Sequence, residues 1–139
     1  MDITGRGRMP GLVDVLITTC SKEKRLDAGP LPAAQRYVSS RISAVVARGQ
    51  QLGKTVFILS GKYGLLGPGE QIEWYDRPLT AEDEPAITEL VTRRLAAENA
   101  DRVIFYAEPI DTPGWHPYYN VIAAACANLG MTLEVELVS

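Results

Sequence analysis

Four short apolar runs recur at wide intervals along the chain: LVDVLIT (12–18), KTVFILS (54–60), DRVIFYAEP (101–109) and MTLEVELV (131–138). Each is short and carries β-branched residues, the composition of a strand that packs into a core. Helical spacing fills the gaps between them. Ala34, Tyr37, Val38, Ile42, Val45, Val46 and Leu52 recur at helical intervals, which predicts one helix from Ala33 to about Leu52, ended by Gly53. Thr80, with Asp83 three residues on and Pro85 soon after, predicts the start of a second helix, AEDEPAITELVTRRLAAENA. Its acidic first turn and later Arg93 and Arg94 suit the helix macrodipole. YYNVIAAACANL predicts a third helix.

Strands that alternate with helices at this spacing imply an α/β fold with a mainly parallel sheet. The expectation is a three-layer sandwich: a Rossmann-like central sheet of about four strands with helices on both faces. The 139 residues suffice for one domain, residues 11–139, behind a polar, glycine-rich arm at residues 1–10 read as flexible. Right-handed crossovers bring the loops after the strands to one edge of the sheet, where ligands of open α/β sheets bind. Those loops are TTCSKEK, SGKYGLLGPGE and AEPIDTPGWH.

Charge narrows the partners. Fourteen Lys and Arg against seventeen Asp and Glu leave a formal charge of -3, which argues against duplex nucleic acid as a partner. No apolar stretch reaches membrane-spanning length, so no membrane partner is expected. MDITGRGRMP lacks the apolar core of a secretory leader, and the expected location is the cytoplasm. Cys20 and Cys126 are read as free thiols, with Cys126 buried in a helix. No metal-ligand spacing is present, and neither metal nor cofactor is expected. The oligomeric state is left open.

In TTCSKEK, Thr19, Ser21, Lys22 and Lys24 can present hydroxyls and ammonium groups to an anion at a strand end. Cys20 near the lysines is a candidate nucleophile. In SGKYGLLGPGE, Ser60, Gly61, Lys62, Tyr63 and Gly64 suggest special backbone angles or a close approach to a ligand, although the spacing of a P-loop is missing. EWYDRPL sets Trp74 and Tyr75 beside Asp76: the rings suit stacking on a base or sugar, and the carboxylate suits proton transfer. Its duller alternative is a covering loop with an Asp76–Arg77 surface pair. Glu108, at the end of the third strand, is a second acid/base candidate. His116, the one histidine, sits in a loop and is read as structural or exposed.

Taken in order, C-S-K-x-K (20–24), P-A-x-x-x-Y (32–37), S-G-K-Y-G-L-L (60–66) and Y-D-x-x-L (75–79) resemble a family of short bacterial domains of unknown function, whose second motif usually reads S-A-K-Y-G-L. The resemblance spans roughly residues 13–110. The second block is also similar to the YaaA-like peroxide-stress family, which is linked to DNA binding and oxidative protection. A more distant similarity is to the core domain of archaeosine synthase, which modifies a 7-deazaguanine base. Cys20 and Lys24 keep that domain's C-x-x-x-K spacing. Thr19 stands where its proline would be, and the Pro-Tyr and histidine that follow there are missing here, so its amidotransfer chemistry does not carry over.

Residues and resemblance together imply an enzyme acting on a nucleobase, nucleoside or nucleotide, by N-glycosidic cleavage, transfer or base modification. Asp76, Lys24 and Cys20 would be catalytic. Thr19, Ser21, Lys22, Ser60, Gly61, Lys62, Tyr63, Gly64, Trp74, Tyr75 and Glu108 would bind a small nucleobase- or nucleotide-like ligand. The alternatives are a non-catalytic nucleotide- or DNA-binding stress-response module and a small partner subunit.

Overall fold

A computed structural model describes residues 13–138; the arm expected at residues 1–10 lies outside them. In chain order the elements are β1 (Asp14–Thr19), β2 (Leu31–Pro32), α1 (Ala33–Arg36), α2 (Ser40–Leu52), β3 (Thr55–Ser60), β4 (Gly64–Leu66) and β5 (Gln71–Ile72). A 3-10 turn (Ala81–Asp83), α3 (Glu84–Glu98), β6 (Arg102–Ala107), α4 (His116–Leu129) and β7 (Thr132–Leu137) follow. The fold is mixed α/β around a five-stranded, mostly parallel sheet in the order β4-β3-β1-β6-β7. β1 pairs in parallel with β3 and β6, and β7 runs parallel to β6.

Side chains alternate along β1. Val15 and Ile17 join Phe57, Phe105, Val91 of α3 and Ile122 of α4 in one cluster. Leu16, between them, belongs with Val56, Tyr106 and Val45 of α2. All six residues of β1 are buried, which accounts for an unbroken apolar run rather than an alternating one.

The structure departs from the sequence expectation in three places, the smallest being a second sheet in which β2 pairs antiparallel with β5. The single helix expected over 33–52 is broken at Tyr37–Ser39. There the backbone turns extended and pairs with the loop after β1: Lys24 and Tyr37 form an antiparallel bridge. Arg25 N–H donates to Arg36 O at 2.7 Å, and Val38 N–H to Glu23 O at 2.9 Å. Ser39 then caps α2, its Oγ accepting from Ile42 N–H at 3.2 Å, which satisfies a donor that the helix start leaves free.

The glycine-rich loop after β3 hides a fifth strand. β4 folds back antiparallel on β3, with Ser60 opposite Gly64. Gly64 has φ +78°, and a Cβ there would meet Leu90 Cβ at 2.9 Å. A Cβ on Gly61 would lie 2.6 Å from both Arg77 O and Leu79 N. Gly61 and Gly64 therefore admit neighbouring backbone and α3. Among the described residues no helix is long and apolar enough to cross a membrane.

Candidate functional site

The strand order makes one position special. β1 leads through α2 to β3 on one side, and the chain then crosses back past β1 to β6 on the other. The C-terminal ends of β1 and β6 are therefore adjacent strand ends whose connections diverge, which opens a crevice between their loops. A cavity of about 440 Å³ lies there. Thr19, Cys20, Ser21, Lys22 and Lys24 line it after β1, and Glu108 and Pro113–Trp115 after β6. Tyr75–Pro78, Arg41 of α2 and Tyr118 of α4 complete the wall. A hollow of about 480 Å³ at the start of β3, among Lys54, Gly67, Arg94 and Glu98, lies at the opposite end of that strand.

The crevice is cationic in an acidic protein. Lys22, Lys24, Arg41 and Arg77 line it with Asp76 and Glu108; with Arg77 paired to Asp83, the formal excess is one positive charge. Arg41 is held by one nitrogen: Nη1 donates to Thr18 Oγ1 at 2.7 Å and to Thr19 O at 2.9 Å. Its guanidinium carbon lies 5.0 Å from the centre of the Trp115 ring, within cation–π range. Burial pulls the Arg41 pKa below its ordinary value, against the favourable charges of Glu108 and Cys20. Arg77 turns away to Asp83 at 2.8 Å, so the Asp76–Arg77 surface pair weighed from sequence does not form. Asp76 is exposed at the rim and has no hydrogen-bond partner among the described residues.

Cys20 is half-buried where β1 ends, its N–H donating to Leu59 O at 2.8 Å. Its Sγ lies 3.6 Å from the Tyr118 hydroxyl. That hydroxyl also accepts from Leu79 N–H at 3.2 Å. Burial first, then the proximity of Cys20, hold the phenols of Tyr37, Tyr75 and Tyr118 well above the usual tyrosine range. All three remain protonated donors at neutral pH. Lys24 Nζ donates to Lys22 O at 3.3 Å and lies 4.8 Å from the centre of the Tyr75 ring.

Eight of the residues singled out from sequence line the crevice: Thr19, Cys20, Ser21, Lys22, Lys24, Tyr75, Asp76 and Glu108. The S-G-K-Y-G block does not. Ser60 is fully buried beneath Tyr75, with its Oγ 2.7 Å from the Tyr75 hydroxyl. Gly61 and Lys62 border a separate hollow of about 250 Å³ with Ile87 and Leu90. Tyr63 packs edge-on against Tyr75, ring centres 5.4 Å apart, and Gly64 lies under α3. Trp74 is 51% exposed and stands outside the crevice wall.

The aromatic wall comes instead from Trp115 and Tyr118, which sequence reasoning placed in a loop and a helix without assigning them to the site. Arg41 was missed as well, because it lies on a helix that carried no motif. Their common signal is position: they follow β6, or lie on the helix that follows β1, around the crevice between those two strand ends. Arg41 also borders a hollow of about 370 Å³ with Tyr106 and Val138. His116 is exposed at the start of α4 and does not line the cavity. Among the described residues no three His, Cys, Asp or Glu side chains come together at metal-holding distance.

No curated protein and no solved structure matches the chain. A family model does match it, over residues 15–137, and these include every residue of the crevice. The chain therefore belongs to the family of unknown function DUF6884.

Proposed function

We propose that the protein is an enzyme that binds a nucleobase, nucleoside or nucleotide in the crevice between the β1 and β6 loops, and that it cleaves, transfers or modifies at the base. The reading takes the fold as the three-layer, Rossmann-like arrangement expected from the strand–helix alternation. One observation carries it: four cations, two carboxylates and aromatic side chains share a cavity of about 440 Å³ at the sheet's switch point. Tyr75, Trp115 and Tyr118 supply flat apolar surface for a base. Lys22 and Arg41 supply charge for a phosphate or a developing oxyanion.

Asp76, exposed at the rim, serves as acid/base or nucleophile. Glu108 is the second carboxylate within reach of the same ligand. Cys20, its sulfur 3.6 Å from the Tyr118 hydroxyl, and Lys24 are the alternative nucleophiles. We propose a cytoplasmic location, with which the two free cysteines agree.

The test is a thermal-shift screen against nucleobases, nucleosides, nucleotides and 7-deazapurines, followed by turnover of each hit by mass spectrometry. A ligand that binds the native state raises the midpoint progressively with concentration. Asp76→Asn should keep the melting temperature and the binding but lose turnover. Binding with no turnover by the unmodified protein would favour a non-catalytic sensor, and no shift with any compound would remove the nucleobase reading.

A further inference from the structure

We propose that the ligand of this crevice carries a phosphomonoester, so that among the molecules considered above it is a nucleoside monophosphate rather than a free base or nucleoside. The inference rests on the nucleobase reading and deepens it. It is supported by the charge around the cavity and by the donors of Arg41.

Around the cavity Lys22, Lys24 and Arg41 outnumber Asp76 and Glu108 by one positive charge, Arg77 being paired with Asp83. A phosphomonoester near neutral pH carries about 1.5 to 2 negative charges, whereas a base or nucleoside brings none. Arg41 is the group best placed to read it. Its Nη1 is committed to Thr18 and Thr19, while Nε and Nη2 have no partner among the described residues. A guanidinium anchored at one corner presents a preset donor pair, which suits phosphate oxygens better than a mobile ammonium does.

Tyr75 is fixed at the wall from beneath. Ser60 Oγ accepts from the N–H groups of Lys62 and Tyr63, both at 3.1 Å, and lies 2.7 Å from the Tyr75 hydroxyl, which is 2.5 Å from that of Tyr37. The Tyr75 ring is thereby held beside Lys24, whose Nζ lies 4.8 Å from the ring centre.

The experiment is calorimetric titration of the full chain with each common nucleoside, its 5′-monophosphate, ribose 5-phosphate and inorganic phosphate, at low and high salt. The expected result is a monophosphate that binds about tenfold or more tightly than its nucleoside, with a gap that narrows as salt rises. The gap should shrink in Arg41→Gln and in Lys22→Ala; Lys22 is exposed, so its variant serves even if Arg41→Gln does not fold. Equal binding of nucleoside and monophosphate overturns the phosphate inference and leaves the base reading standing. A gap that survives in every folded variant removes the phosphate from this crevice. Ribose 5-phosphate or inorganic phosphate matching the nucleotide overturns the nucleotide assignment together with base recognition, and no binding by any compound overturns both.

Discussion

Ser60 Oγ and the Tyr75 hydroxyl, fifteen positions apart in sequence, lie 2.7 Å apart in the core. This bond joins the S-G-K-Y-G turn to the Y-D-x-x-L segment, and so holds a crevice wall from beneath. Ser60→Ala would leave Tyr75, Lys62 N–H and Tyr63 N–H each short of a partner. The expected loss is about 2 kcal/mol, read from the urea midpoint. In the double variant with Tyr75→Phe the losses should be less than additive, because both remove the same bond. Full additivity would mean that the bond contributes nothing in solution.

Arg36 is fully buried yet faces no carboxylate among the described residues. Its guanidinium donates to the carbonyls of Arg25, Asp27, Gly29 and Ile72 at 2.5 to 3.3 Å. Arg36→Met keeps the volume and leaves these four acceptors without their donor. A cost of about 3 kcal/mol is expected, together with protease cleavage within residues 25–29 under native conditions. An intact loop in a folded variant would show that the Lys24–Tyr37 bridge alone orders it.

At the other end of β1, Arg102 grips Asp14 with two nitrogens, both at 2.8 Å, and Lys54 approaches at 3.6 Å. The Arg102 hydrogen bonds lead in holding the Asp14 carboxyl below its usual range, against the opposing effect of burial. A depressed folded pKa stabilises above the unfolded value and loses that contribution as pH falls through the folded one. Asp14→Asn should therefore destabilise the protein near pH 7. The difference from the unmodified chain should narrow progressively below about pH 4. A difference that stays constant across an acid titration of the melting temperature would rule out this linkage.

The two thiols should separate chemically. Cys126 is 2% exposed, and burial pushes its pKa to about 11, whereas Cys20 is half-buried at the crevice. Iodoacetamide near neutral pH should label Cys20 alone in the native protein, and both residues in denaturant. Any ligand found by the screen should slow the native reaction. Equal labelling of both residues in the native state would contradict the burial of Cys126.

How much of this was legible in the sequence varied by element. The apolar runs located β1, β3 and β6, because parallel strands buried along most of their length read as continuous hydrophobic stretches. β7, expected in the core, is instead a mostly exposed edge strand, legible as the alternation TLEVEL. β4 escaped, since three residues inside a glycine-rich loop carry no period. The break at Tyr37–Ser39 has no Gly or Pro to announce it. It is made by pairing with residues 23–25, a contact that helical spacing cannot encode. The loop after β1 was read as part of the site because its chemistry is concentrated in consecutive residues. Arg41, Trp115 and Tyr118 come from three separate segments, and only strand order brings them together. The S-G-K-Y-G block was read as a binding loop, yet its glycines admit backbone and its serine supports a tyrosine.

The bridge between Lys24 and Tyr37 also sets the smallest portable unit of this crevice. Transplanting the lysine loop alone into another α/β scaffold would import side chains without the extended segment that registers them. The unit to move is residues 19–39 as one piece, closed on itself by Arg36. Within it, the Leu26 side chain is 80% exposed while Arg36 holds the carbonyls of Arg25 and Asp27 on either side; a label belongs on that side chain, and an inserted residue there would break the register.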